Sequence, residues 1–278
     1  MVAVDGGPYA LACAPDGAMW VTLVHSGEVA RITEQGDVTR FPVAPGAKPS
    51  IITAGPDGAM WFTCSAIDRI GRISTDGELR LIELPNGSSP FGLTVGPDGA
   101  LWFTTMAAGG IGRVTVDGEV DDQAHLGGTP SMIITGPDNA LWCTLNARNA
   151  IARLDPRTGK STIRELPTRN AGPVGITMTH DDAVWFTEIR ADQLGRIPMN
   201  DAVQEISLPG KPHAVVADDA DGVWVSLWGA DQLARVSGDG EITTFDLPSG
   251  SEPHGLAVGH DGAPWVALES GYVLRLPW

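Results

Sequence analysis

The stretch Pro49-Ser50-Ile51-Ile52-Thr53-Ala54-Gly55-Pro56-Asp57-Gly58-Ala59-Met60-Trp61-Phe62-Thr63 reads as two short strands joined by a tight turn. Ser50 to Ala54 is an apolar, β-branched run that suits an innermost strand. Gly55-Pro56-Asp57-Gly58 offers the positive φ that a tight hairpin demands, and Met60 to Thr63 resumes an apolar strand. Further out, Arg69 to Ile73 is a third strand, Asp76-Gly77-Glu78 a second turn, and Leu79 to Leu84 a fourth strand. Four antiparallel strands in about forty residues make one propeller blade.

The unit recurs along the whole chain. Tryptophan stands at 20, 61, 102, 142, 185, 224 and 265, spaced by 39 to 43 residues. Twelve residues before each is a proline: Pro8, Pro49, Pro90, Pro130, Pro173, Pro212 and Pro253. Seven copies in fixed phase predict an all-β, seven-bladed β-propeller of four-stranded antiparallel blades, a single domain over residues 1–278. The seventh copy ends after Tyr272 to Leu276, one strand short. Met1 to Val4 lies just before the first proline, where a fourth strand ends, so the N-terminal strand is expected to complete the last blade and close the ring.

Composition narrows the function classes. The 278 residues carry 34 acidic and 18 basic side chains, a formal charge of −16. Such a surface repels phosphate backbones and anionic headgroups, which argues against nucleic acid and membrane partners. Cys13, Cys64 and Cys143 are odd in number and form no C-x-x-C, so they are expected to be thiols of a reducing compartment. No apolar run is long enough to span a bilayer, and the first residues lack a signal peptide's basic and apolar regions. A cytoplasmic chain is the expectation.

In a repeat protein, function shows as departures from the consensus, because scaffold positions must pack in every copy. Just after each proline, at the start of the innermost strand, stand Tyr9, Ser50, Phe91, Ser131, Val174, His213 and His254. Ring closure puts His213, His254 and Tyr9 on three consecutive blades, converging at one mouth of the central channel. The second strand runs antiparallel to the first, so the residue four past each tryptophan returns to that mouth. This slot holds Val24, Ser65, Met106, Asn146, Ile189, Trp228 and, alone in being charged, Glu269. Glu252 precedes Pro253 at the same rim. Glu188, three past Trp185, also nears this end, but a one-residue shift turns a strand side chain to the other face. Each group alone would be an ordinary solvated rim residue; together they resemble a site. Two carboxylates beside imidazoles suit a hard divalent cation such as magnesium and a general base. His180 and His260 fall in turns, His125 near an outer strand, and His25 after a second strand; none is expected to act. The recurring Asp-Gly turns and the arginines from Arg31 to Arg275 read as scaffold.

The motifs resemble the virginiamycin B lyase family, enzymes that inactivate type B streptogramins. The resemblance runs through Gly7-Pro8-Tyr9, Pro130-Ser131-Met132-Ile133, Gly172-Pro173-Val174-Gly175-Ile176-Thr177 and Trp185-Phe186-Thr187-Glu188-Ile189. Its specific signals are Lys211-Pro212-His213-Ala214, Ser251-Glu252-Pro253-His254-Gly255 and Ala267-Leu268-Glu269. It implies that Glu252 and Glu269 hold magnesium, that His254 accepts the proton, and that His213 contacts substrate; Tyr9 joins His213 from the slot comparison. It also implies a monomer acting on a cyclic depsipeptide antibiotic. The chain departs from the family in carrying Leu23, Cys64, Thr105 and Leu227 where glutamate often follows the W-F-T run, which would alter the channel's charge.

The chemistry so implied is a β-elimination at the threonyl ester, which opens the ring without water. Two rivals stand beside it. A metal-dependent lactonase would use the same cation to activate water, and a non-catalytic propeller would bind a ligand across its face.

Overall fold

A computed structural model describes residues 1–198, 201–218 and 220–277. These residues form seven four-stranded antiparallel sheets arranged as a β-propeller. The first blade is Pro8–Cys13, Met19–Leu23, Glu28–Ile32 and Val38–Pro42, counted from the channel outward. In the second, the strands are Pro49–Ala54, Met60–Cys64, Arg69–Ile73 and Leu79–Glu83, within a residue of the sequence reading. Val2–Ala3 pairs with Tyr272–Arg275 in the sheet of the last blade, with Val2 opposite Val273 and Ala3 opposite Tyr272. The ring therefore closes through the N-terminal strand, as expected.

The recurring residues build the joints. All seven repeat tryptophans are buried, none more than 9% exposed. Trp20 packs with Ile52, Met60 and Phe62 of the following blade, so the core lies between blades. The turn aspartates accept the N–H of the residue two further on, as Asp16 does from Ala18 and Asp57 from Ala59. Their second oxygen takes the recurring arginine: the pairs Arg31–Asp16, Arg72–Asp57, Arg113–Asp98, Arg153–Asp138, Arg196–Asp181 and Arg235–Asp218 span 2.5–2.8 Å, and Arg275 pairs with Asp261. The arginine and Asp-Gly motifs are thus scaffold.

A hydroxyl two past the tryptophan stitches one blade to the next. Thr22 Oγ1 accepts the Ala10 N–H at 3.0 Å and donates to the Ser50 carbonyl of the second blade at 2.7 Å. Thr63, Thr104, Thr144 and Thr187 repeat the pattern onto the carbonyls of Phe91, Ser131, Val174 and His213. Each acceptor is the residue just after the repeat proline, so the stitch fixes the backbone at the channel mouth. In the last blade the position is Ala267, which has no hydroxyl. There, as at Gly92 and Gly175, the next blade's backbone leaves no room for a side chain: a Cβ on Gly255 would lie 2.5 Å from the Tyr9 carbonyl oxygen, and only glycine permits that contact.

Candidate active site

Every innermost strand is irregular just after its proline. The ladder register shifts between Pro8 and Leu11, Pro212 and Val215, and Pro253 and Leu256, as in the other four blades. A bulge of this kind re-aims side chains. Tyr9, His213 and His254 all sit in these bulges, and their rings meet. His213 stands edge-on to His254 with centroids 4.7 Å apart, Tyr9 lies 4.8 Å from His254, and Tyr9 to His213 is 6.0 Å. Trp228 adds a wall 6.3 Å from His254, with Lys211 Nζ over its ring at 5.1 Å.

Glu269 reaches the same place. Its Oε2 lies 2.6 Å from His254 Nε2. An ionised carboxylate only accepts, so His254 donates through Nε2–H and its lone pair resides on Nδ1. That Nδ1 is buried and meets no hydrogen-bonding partner among the described residues. The pair reproduces the carboxylate–imidazole arrangement that fixes a tautomer for base catalysis. Glu269 Oε1 takes a second imidazole, His25 Nε2 at 3.0 Å. His25, not expected to act, thus stands against Glu269 after all, because the loop after the second strand of the first blade reaches across the seam to blade seven.

The neighbours differ in charge state. Burial, reinforced by the Glu269 charge, pushes the Tyr9 hydroxyl up to about 12, so it keeps its proton. Burial and the neighbouring His254 bring His213 down to about 3, so it stays neutral. Glu252 is exposed at the rim. Its N–H binds Asp231 Oδ1 at 3.0 Å, and its carbonyl accepts the Glu269 N–H at 3.2 Å. The two glutamates are backbone neighbours at one mouth.

Among the described residues no three histidine, cysteine or acidic side chains form a metal cage. Magnesium needs fewer, since it keeps several waters and takes one or two carboxylates. Glu269 Oε2 spends one lone-pair position on His254, Oε1 lies 3.0 Å from His25 Nε2, and Glu252 is exposed at the rim, so carboxylate oxygens of the kind a hard cation takes stand at this mouth.

Glu188 lies elsewhere. It shares the phase of Leu23, Cys64, Leu145 and Leu227, which pack into the cores between blades. Its side chain is fully buried, neither oxygen meets a hydrogen-bond donor among the described residues, and burial with the nearby Glu205 charge pushes it up to about 8. The same phase corrects the expectation that Leu23, Cys64, Thr105 and Leu227 alter the channel's charge. All four are at most 4% exposed, in the inter-blade core.

Below the mouth the channel is apolar, lined by Leu11, Ile52, Ile176, Val215 and Leu256, and its cavity holds about 110 Å³. Pockets for drug-sized ligands run to about 300–1,000 Å³. The channel itself is therefore too small for a drug-sized ligand.

The chain matches the profile of the Virginiamycin B lyase family over residues 1–276. It belongs to that family. Its relatives include a virginiamycin B lyase of Mycolicibacterium smegmatis, 70% identical over 276 residues covering 99% of this chain and 98% of that one. Another, from Mycobacterium sp. strain KMS, is 69% identical over 274 residues with the same coverage. The solved virginiamycin B lyase from Staphylococcus aureus superposes with a TM-score of 0.94 at 36% identity, covering 100% of this chain and 98% of that chain. A catalytically inactive histidine-to-alanine variant of the S. aureus family member, solved with quinupristin, gives 0.93 at 36% identity, covering 99% and 96%.

Proposed function

We propose that this chain is a carbon–oxygen lyase that linearises type B streptogramin cyclic depsipeptides by β-elimination at the threonyl ester bond, and so confers resistance to them. The observation that carries the reading is the His254–Glu269 pair at the channel mouth, with Nδ1 of His254 left as a buried, unpartnered acceptor. Family membership supports it, as does the relative solved with quinupristin, which a histidine substitution inactivates.

The proton on the threonyl α-carbon lies β to a carboxylate leaving group. His254 Nδ1 takes that proton, the C–H electron pair becomes the Cα–Cβ double bond, and the Cβ–O bond breaks with its electrons leaving on the carboxylate. Glu269 holds the imidazole in the accepting tautomer and stabilises the imidazolium that forms. The leaving carboxylate is stable at neutral pH, so no strong acid is required. Tyr9, protonated, offers an O–H donor, and His213, neutral, packs against the base without competing for the proton. Glu252 and Glu269 are the residues that would hold magnesium, which when bound supplies positive charge to offset the enolate-like charge developing on the substrate. The chain is taken to act as a monomer in the cytoplasm, where its three unpaired cysteines would stay reduced.

His254→Ala and Glu269→Gln test the assignment. Each is expected to lower ring opening of a type B streptogramin by roughly 10²–10⁴-fold with an unchanged fold. A chelator should suppress the wild type, and added magnesium should restore it. Full activity in either variant would reject the assigned role.

A further inference from the structure

We infer that His25 is a positioning residue for the His254–Glu269 pair, holding the Glu269 carboxylate so that its other oxygen meets His254. The inference rests on the reading of His254 as the base. Glu269 stands between two imidazoles, His254 on its own blade at 2.6 Å and His25 on the first blade at 3.0 Å, one to each carboxylate oxygen. A glutamate on a loop has three free side-chain torsions, and a single hydrogen bond at one oxygen leaves the plane of the carboxylate free to turn. A second polar contact, the His25 ring nitrogen 3.0 Å from the other oxygen, restrains that plane, as partners beyond the reacting group commonly do.

The seat for His25 is built into the sequence. Five residues past the repeat tryptophans stand His25, Ala66, Ala107, Ala147, Arg190, Gly229 and Ser270, small in five blades of seven. Only blades one and five carry a large side chain there, and in both the residue before the repeat proline is glycine, Gly7 or Gly172. Elsewhere that position is Lys48, Ser89, Thr129, Lys211 or Glu252, all with φ between +47° and +54°. Positive φ alone therefore does not require glycine at position 7. Contact does: a Cβ on Gly7 would lie 2.6 Å from Nδ1 of His25. The backbone is pinned as well, since the His25 N–H binds the Gly6 carbonyl at 3.0 Å and Val24 N–H binds that of Gly7 at 2.9 Å. As an ion pair with a side chain 63% exposed, His25–Glu269 contributes little to stability. What it supplies is geometry, at the joint between blades seven and one, where the stitch position is Ala267 and has no hydroxyl.

The test compares His25→Ala with His25→Gln, whose amide keeps an N–H donor and cannot titrate. Ring opening of a type B streptogramin is expected to show kcat lowered roughly tenfold in His25→Ala with KM unchanged, and kcat recovered in His25→Gln. Gly7→Ala, which pushes the ring aside while keeping the imidazole, should behave like His25→Ala. Unchanged kcat in His25→Ala, or failure of His25→Gln to recover it, would overturn the inference while leaving the lyase reading intact. The NMR resonance of the His254 Nε2 proton decides the matter without turnover. It should move in His25→Ala and return in His25→Gln. If it stays in place in His25→Ala, the inference fails even where the wild type opens no ring.

Discussion

At the scale of single residues, the site depends on what one carboxylate does to one imidazole. His213, His254, Tyr9 and Glu269 are legible in the sequence, because each breaks a pattern that the other blades keep. His25 is not, for a physical reason. It lies one residue past the slot, in a loop where strand alternation has ended, so no register rule says which way it points. The informative signal was its pairing with Gly7, which becomes meaningful only when the two loops are seen to touch. Glu188 shows the reverse case. Its motif matches the family, yet its phase turns it into the core between blades, where a carboxyl raised to about 8 binds a proton at neutral pH. A carboxyl raised above its unfolded value contributes stability that is full below the unfolded pKa and lost as pH rises through the folded one. Stability should therefore fall between about pH 5 and pH 8, by at most about 1.4 kcal/mol per pH unit from this group. Glu188→Gln, lacking the charge, should flatten that slope in urea titrations followed by tryptophan fluorescence. An identical slope in the variant would remove Glu188 as its source.

The elements add what side-chain spacing alone does not reveal. Strand positions came within a residue of the sequence reading, since the Asp-Gly turns and the apolar runs bound them tightly. The bulge after each proline was not legible, because a two-against-one register has no compositional mark. Yet that bulge presents Tyr9, His213 and His254 to the mouth. The threonine stitch holds it in place, and for His213 the stitch is Thr187, donating to its carbonyl at 2.8 Å while accepting the Gly175 N–H at 2.8 Å. Thr187→Val keeps the shape and removes both bonds. Leaving a buried carbonyl and N–H unpaired costs about 1–3 kcal/mol. The urea midpoint should drop accordingly, with an unchanged slope, and ring opening should weaken through KM. A variant as stable as the wild type would show that the stitch is incidental.

For the molecule as a whole, closure through the N-terminus brings blade seven beside blade one, and so brings His254 and Glu269 beside Tyr9 and His25. The seal is small. Val2 and Ala3 pair with the last strand, Val4 is buried at 3% exposure, and the N–H groups of Val4 and Asp5 bind the Gly271 carbonyl at 2.9 and 3.0 Å. Removing residues 1–5 would expose the edge at Tyr272–Arg275 and forfeit roughly 2–3 kcal/mol of apolar burial and hydrogen bonding. The melting temperature should fall by about 5–10 °C, and activity should fall with it, because the seam that opens is the one carrying the site. Retained activity in a clearly destabilised truncation would separate the seam from the chemistry.

Elimination leaves its signature in the mass of the opened product. After incubation of a type B streptogramin with the wild-type chain and magnesium, the linear product should have the mass of the starting ring. A product heavier by one water would mean that the ester is hydrolysed, and would contradict the role given to His254.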